Sequence, residues 1–424
     1  MSIRLYNTLT RRLDRLPEPP SPVRMYFCGP TVYQRAHVGN ARPFVLGMWL
    51  RAWLRERGYD ATLVHNITDV NDKIYEAAPG ESAKLAERAT AWYLEDTADL
   101  GLGLPDHTPR ATEFVPQIVG FIEELIARDY AYAIEGDVYF RVARDAQYGQ
   151  LSGQRPDQVE EQEPSPLKED PRDFALWKAN KPEEDTSWDS PWGRGRPGWH
   201  IECSVMAEEL LGPVFEIHGG GLDLVFPHHE NELAQSRALG HDFAQIWAHN
   251  GILDTTGEKM SKSLGNIVPL REAFDRWGRE TLLVFFLTGH WRKPIDFSEE
   301  TMGAAAARAD SFREVFRNPS EPAEPDAWDR FAAALDDDFN TPDALAVIHD
   351  WRDHELLRRA LTVFGLESLA ESEEAPRELV QLAKQRQEAR SNGDFAEADR
   401  LRDEIRGTGW EVRDMPDGFR LVRK

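Results

Sequence analysis

Val23-Arg-Met-Tyr-Phe-Cys28 runs into Gly29-Pro30-Thr31 and then His37-Val38-Gly39-Asn40. Pro43-Phe-Val-Leu-Gly-Met-Trp-Leu-Arg-Ala-Trp-Leu-Arg-Glu-Arg-Gly58 and Ala61-Thr-Leu-Val-His-Asn-Ile-Thr68 follow. A short apolar run ended by Gly-Pro reads as a buried strand, and the long segment repeats apolar residues at helical spacing before stopping at a glycine. The third run reads as another buried strand. Strand, loop, helix, strand is a βαβ crossover, so the reading predicts an α/β fold with a Rossmann-like parallel sheet. The loop would lie at its carboxyl edge, where such folds bind ligands. No Gly-x-Gly-x-x-Gly fingerprint accompanies this crossover, which argues against a nicotinamide or flavin enzyme.

A 424-residue chain is too long for one hydrophobic core and should divide into two or three domains. No apolar run approaches the roughly 20 residues of a membrane span, and Met-Ser-Ile-Arg-Leu-Tyr-Asn at the start has no apolar signal region. A reducing cytoplasm is the expected compartment. The net charge of -24 argues at first against nucleic acid. Residues 376–424, however, carry eleven basic against ten acidic side chains, so the acidity sits elsewhere. That composition permits either an RNA-facing tail or a solvated mixed-charge surface.

The only two cysteines, Cys28 and Cys203, cannot build a disulfide framework in so long a chain. Cys203 closes Trp199-His-Ile-Glu-Cys203, and Pro227-His228-His229-Glu230-Asn231-Glu232 supplies imidazoles and carboxylates. Pro227 is expected to open a helix ending near Gly240, on which His228 and Glu232, four apart, emerge on one face. Such a pair either grips an ion or decorates a solvated face. With two thiolates it becomes a Cys28, Cys203, His228, Glu232 donor set, suited to Zn²⁺ rather than Mg²⁺ or Ca²⁺.

Residues 147–196 are polar and rich in proline, and are expected to form a partly irregular insertion pinned by Trp177, Trp188 and Trp192. Phe215-Glu-Ile-His218 reads as a strand running into Gly219-Gly220-Gly221, which either lets a backbone approach a ligand or makes a tight turn. Gly257-Glu-Lys259-Met-Ser-Lys262-Ser263-Leu-Gly-Asn266 places two lysines around small hydroxyls. Such a loop can neutralise charge growing on a triphosphate, and His37-Val-Gly-Asn40 at a helix start offers amide N–H groups to phosphate.

At these residues the chain resembles the class I aminoacyl-tRNA synthetases, with His37-Val-Gly-Asn40 and Lys259-Met-Ser-Lys-Ser263 as the two signatures. Within them it resembles the cysteinyl-tRNA synthetase family. Phe27-Cys-Gly-Pro-Thr-Val-Tyr33, Asn66-Ile-Thr-Asp69 with Asn71-Asp-Lys73, Gly198-Trp-His-Ile-Glu-Cys-Ser204, His218-Gly-Gly-Gly-Leu-Asp223, Phe226-Pro-His-His-Glu-Asn-Glu232 and Asp336-Asp-Asp-Phe-Asn-Thr-Pro342 carry that likeness in family order. The resemblance implies one Zn²⁺ on Cys28, Cys203, His228 and Glu232, and Thr31, Thr68, Trp199 and His218 around bound L-cysteine. It implies His37, Gly39, Asn40, Gly221, Asp223 and Lys262 at ATP with its Mg²⁺, and His37, Asn40, Lys259 and Lys262 as the catalytic residues. Asn40 departs from the commonest signature, which ends in histidine, but asparagine still donates a hydrogen bond.

The resemblance further implies three domains. Residues 1–295 would be the catalytic domain with a polar insertion at about 100–197, residues 296–375 a helical bundle contacting the tRNA stem, and 376–424 a small α+β anticodon-binding module. The bundle between Asp350 and Glu378 is shorter than the family's. In the module, Phe395, Ala398, Leu401 and Ile405 mark an amphipathic helix, and Trp410–Val422 reads as a hairpin turning at Asp417-Gly418. Trp410 would either stack on an unpaired base or pack the core. The implied enzyme is a monomeric cysteine–tRNA ligase whose partners are tRNA(Cys), L-cysteine and ATP. The rivals are a same-fold cysteine ligase with an amino-sugar acceptor and an inactive zinc-stabilised RNA-binding protein.

Overall fold

The run beginning at Val23 is the first strand of a four-stranded, wholly parallel sheet in the computed structural model, which describes residues 2–154, 163–255, 258–259, 267–371, 375–415 and 418–423. An N-terminal antiparallel ribbon, β1 (Arg4–Asn7) and β2 (Arg12–Arg15), precedes it. β3 (Pro22–Phe27), α1 (Val38–Glu56) and β4 (Asp60–His65) then form the expected crossover. The helix begins five residues before Pro43, because Asn40 Oδ1 accepts the His37 N–H at 3.2 Å and closes the first turn. Pro43 lies inside it and has no N–H to offer the Gly39 carbonyl. Gly58 ends it with φ +84°, which glycine adopts without strain.

α2 (Asp72–Ala77) and α3 (Ser82–Ala98) lead to the insertion, whose residues 147–196 are partly irregular, as expected, with only two short strands among the described residues. α4 (Val115–Ala127) packs on an antiparallel sheet of β5 (Ala131–Ile134), β6 (Asp137–Phe140), β7 (Phe174–Ala179) and β8 (Gly195–Pro197). Ile118, Ile122, Val138, Phe140, Leu176 and Trp177 give it an apolar core of its own. Trp177 is fully buried, 6.1 Å from Trp192, so the tryptophans pin a folded layer rather than a loop. Its short strands alternate with prolines and charges, which hid their period from the sequence reading.

The main sheet resumes after α5 (Trp199–Leu211) with β9 (Val214–Gly221), and after α6 (Glu230–Ala238) with β10 (Phe243–Asn250). Strand order β10-β9-β3-β4 puts the topological switch between β3 and β9, and the crevice at their carboxyl ends is where such sheets bind ligands. Gly219, Gly220 and Gly221 form no turn; they end β9. A Cβ on Gly219 would sit 2.4 Å from the Phe27 ring, so the glycine is there for the close approach of β3. Pro227 does not open α6 directly: Val225–His229 makes a wide turn in which Phe226 is extended (φ -139°, ψ 135°), and the regular helix starts at Glu230.

β11 (Leu253–Thr255) pairs with β12 (Glu258–Lys259), and α7 (Leu270–Trp277), α8 (Arg279–Thr288) and β13 (Ile295–Asp296) close this region. α9 (Glu299–Arg317), α10 (Ala327–Asp336), α11 (Thr341–His349) and α12 (His354–Val363) follow as a bundle. Its apolar residues continue the core of the sheet: Trp53 of α1 meets Phe331 of α10 edge to face at 5.8 Å. α13 (Arg377–Ser391), α14 (Phe395–Gly407) and the hairpin β14 (Trp410–Met415) and β15 (Gly418–Arg423) gather around Leu379, Ala383, Ile405, Trp410 and Val412. Trp410 is therefore a core residue. Gly418 pairs with Met415 inside the ladder, and Asp417 of the expected turn lies outside the described residues. Phe395, expected on the buried face of α14, is 65% exposed, since it sits at the first position beyond the Asp394 cap. Among the described residues no helix is long and apolar enough to cross a membrane.

Candidate active site and metal centre

Cys28 is the residue after β3, and its N–H donates to the Gly219 carbonyl, which ties it to the carboxyl end of β9. Cys203 comes from the second turn of α5, and His228 and Glu232 from the turn and helix after β9. All four side chains are buried, and one donor atom from each lies within 4.8 Å of the others. The two sulfurs are 3.7 Å apart, both as free thiols, and His228 Nε2 is 3.2 Å from Glu232 Oε1.

A second set overlaps the first: Cys28, His218, His229 and Glu232 are equally close. His218 Nε2 contacts Glu232 Oε2 at 2.8 Å, and His229 Nε2 contacts the Cys28 sulfur at 3.3 Å. Behind His229 a chain of hydrogen bonds continues to His249 Nε2 at 2.7 Å and on to Thr8 Oγ1. His229 was not among the residues singled out by the sequence. Its signal was position, three before Glu232 and hence on the same helical face, but His228 at four before it has the same claim.

Burial sets the protonation of this cluster. It pushes the Cys28 thiol and the Glu232 carboxyl well up, and the His228 and His229 imidazoles well down. A low-dielectric pocket favours the neutral form of these four groups. Ionised thiols and a carboxylate gathered this closely are stable only around a cation, and soft sulfur with imidazole selects Zn²⁺ over hard cations. The donor chemistry thus fits the ion.

The cluster borders a cavity of about 290 Å³ at the switch point. Cys28, Thr31, His37, Gly39, Asn40, Trp199, Gly221 and Asp223 all line it. Trp199 stacks on His228 at 4.3 Å, joining the cavity wall to the donor cluster. Thr68 is buried beside Thr31, to which it is paired as an isolated parallel bridge. His218 is buried too, held by Glu232 rather than opening on the cavity. Lys259 is in β12 by its backbone, paired with Asp254 next to the cavity residue Leu253; its side chain and Lys262 lie outside the described residues. Lys73, His65 and Asn250 also line the cavity, and no spacing in the sequence marked their approach.

A parallel sheet with a metal-competent cluster and a nucleotide-sized cavity at its switch point has the class I aminoacyl-tRNA synthetase architecture. Methionyl-tRNA synthetase of Mycobacterium tuberculosis, solved with methionyl-adenylate, shares the fold at a TM-score of 0.58, with 15% identity over 82% of this chain and 88% of that one. The family described as tRNA synthetases class I (C) catalytic domain matches residues 17–307, a DALR domain matches 330–384, and a cysteinyl-tRNA ligase anticodon binding domain matches 372–420. The cysteine–tRNA ligase of Pseudothermotoga lettingae is 44% identical over 98% of both chains, and that of Brevibacillus brevis 42% identical over the full length of both. The chain belongs to the cysteine–tRNA ligase family.

Proposed function

We propose that the cavity is where this ligase activates L-cysteine with Mg·ATP, and that Cys28, Cys203, His228 and Glu232 hold one Zn²⁺ that selects the amino acid. The convergence of those four donors, of which Cys28 lines the cavity together with His37 and Asn40, carries this reading. When bound, zinc supplies a bond to sulfur that favours the ionised thiol, which the hydroxyl of serine cannot match. Apolar pockets separate such near-isosteres poorly.

Thr31, Thr68 and Trp199 position the amino acid, and His218, expected beside it, acts through Glu232 instead. His37, Gly39 and Asn40 at the start of α1 take ATP phosphates, and Gly221 and Asp223 border the nucleotide. The cysteine carboxylate attacks the α-phosphorus, cysteinyl-adenylate and pyrophosphate form, and a terminal ribose hydroxyl of tRNA(Cys) then takes the acyl group. No side chain needs to be a nucleophile: Lys259 and Lys262 neutralise charge on the departing pyrophosphate, and the rest is alignment. Residues 1–295 form the catalytic domain, 296–375 support the tRNA stem and 376–424 read the anticodon. The enzyme works as a monomer in the cytoplasm, where the two neighbouring thiols stay reduced.

Cysteine-dependent ATP–pyrophosphate exchange, zinc analysis and charging of unfractionated tRNA test this together. Cys203→Ser should lose zinc and cysteine affinity, and Lys262→Ala should lose exchange while keeping zinc. Retention of zinc and cysteine affinity by Cys203→Ser removes that residue from the site, and transfer of cysteine to an amino sugar instead of tRNA would identify the alternative acceptor.

A further inference from the structure

We propose that Lys73 is a further catalytic residue, whose ammonium neutralises the charge that builds where the amino-acid carboxylate meets the α-phosphate. Among the described residues that line the cavity, Lys73 is the sole lysine or arginine and Asp223 the sole carboxylate. The protein carries a net charge of -24, so a cation turned into this cavity is a local exception to its surroundings.

Its placement is built. Asn71 Oδ1 accepts the Lys73 N–H at 3.1 Å, which holds the backbone at the first turn of α2. The ammonium lies 6.0 Å from the centroid of the Tyr33 ring, two residues after Thr31. At that range an aromatic face steadies a cation without consuming its charge. The adjacent Asp72 is engaged elsewhere, with Lys178 and Arg196, and Lys73 has no carboxylate partner among the described residues. The cation is thereby left available to an anion entering the cavity.

Both reactants are anionic, and they must come within about 3–3.5 Å before the new bond forms. A carboxylate oxygen bonds to the α-phosphorus as the bond to the pyrophosphate oxygen breaks; Lys73 stays protonated throughout and transfers nothing. Lys73 approaches from the segment after β4, beside the paired residues Thr31 and Thr68. A fixed charge aimed at the developing one lowers the barrier without reorganisation.

The inference rests on the cavity being the cysteine and ATP site. In the zinc-loaded full chain, Lys73→Ala should lower kcat of cysteine-dependent pyrophosphate exchange by about 10²–10³-fold, the usual effect of removing one such contact. Lys73→Arg should recover most of it. Zinc content and binding of cysteamine, which has the thiol and amine but no carboxylate, should be unchanged in both. Exchange by Lys73→Ala within a few-fold of the unsubstituted chain, an arginine variant no better than alanine, or a parallel loss of zinc and cysteamine binding would each overturn the catalytic role. Cysteamine binding that survives Cys203→Ser would instead overturn the site reading on which it stands.

Discussion

His218 Nε2 and Glu232 Oε2 are 2.8 Å apart, with both side chains fully buried. Burial lowers His218 to about 3 and raises Glu232, which disfavours an ion pair between them in the metal-free protein. The imidazole orients the carboxylate whose other oxygen faces His228. His218→Ala should therefore weaken zinc binding by roughly 10–100-fold, the usual cost of losing an orienting partner. Competition against a chelator measures it; an unchanged affinity would mean that Glu232 is aimed by other neighbours.

Arg42, one turn after Gly39 on α1, spreads its guanidinium over the carbonyls of Gly251, Ile252, His290, Trp291 and Lys293. It is almost fully buried, and burial lowers its pKa to about 10. Arg42→Ala would strand several buried carbonyls and should cost at least about 3 kcal/mol, read from the urea midpoint. A loss below 1 kcal/mol would show that water replaces the guanidinium.

A methyl at Gly219 has no space against Phe27 without moving β3 from β9. Gly219→Ala should lower stability by about 1–3 kcal/mol, as overpacking does. Because Cys28 directly follows β3 and His218 lies on β9, zinc affinity should fall with it. Thermal unfolding and metal analysis on one preparation check both.

His65 is buried against Tyr93, with its Nε2 2.6 Å from the tyrosine hydroxyl, and burial lowers its pKa from 6.5 to about 4. The unfolded chain therefore takes up this proton more readily than the folded one. The resulting stability is complete above pH 6.5 and is lost as the pH falls from 6.5 towards 4. His200, lowered to about 4, acts in the same window, and His249, lowered to about 3, extends it downward. Urea midpoints of the metal-free protein should decline over that range, and His65→Gln should make the decline shallower.

The crossover of β3, α1 and β4 was legible because short apolar runs, helical spacing and a closing glycine are local properties of neighbouring residues. The insertion was not, since its short strands acquire a buried face only by stacking on α4 and on one another. Phe395 misled because period alone does not say where a helix leaves its neighbours. At the site, the donor types and the helical spacing of His228 and Glu232 were readable. Whether His218 faced the ligand or the cluster was not.

The chain's residue pattern alone specified the β3–α1–β4 crossover, the donor chemistry and the family likeness, all of which depend on side-chain identity and short-range spacing. Tertiary structure decided the meeting of Cys28 with Cys203 and Glu232, 175 and 204 positions away, and the entry of Lys73 into the same cavity. Those distances follow from strand order and from the close approach of β3 to a glycine-ended β9. Such packing involves residues far apart along the chain, so no local period carries it.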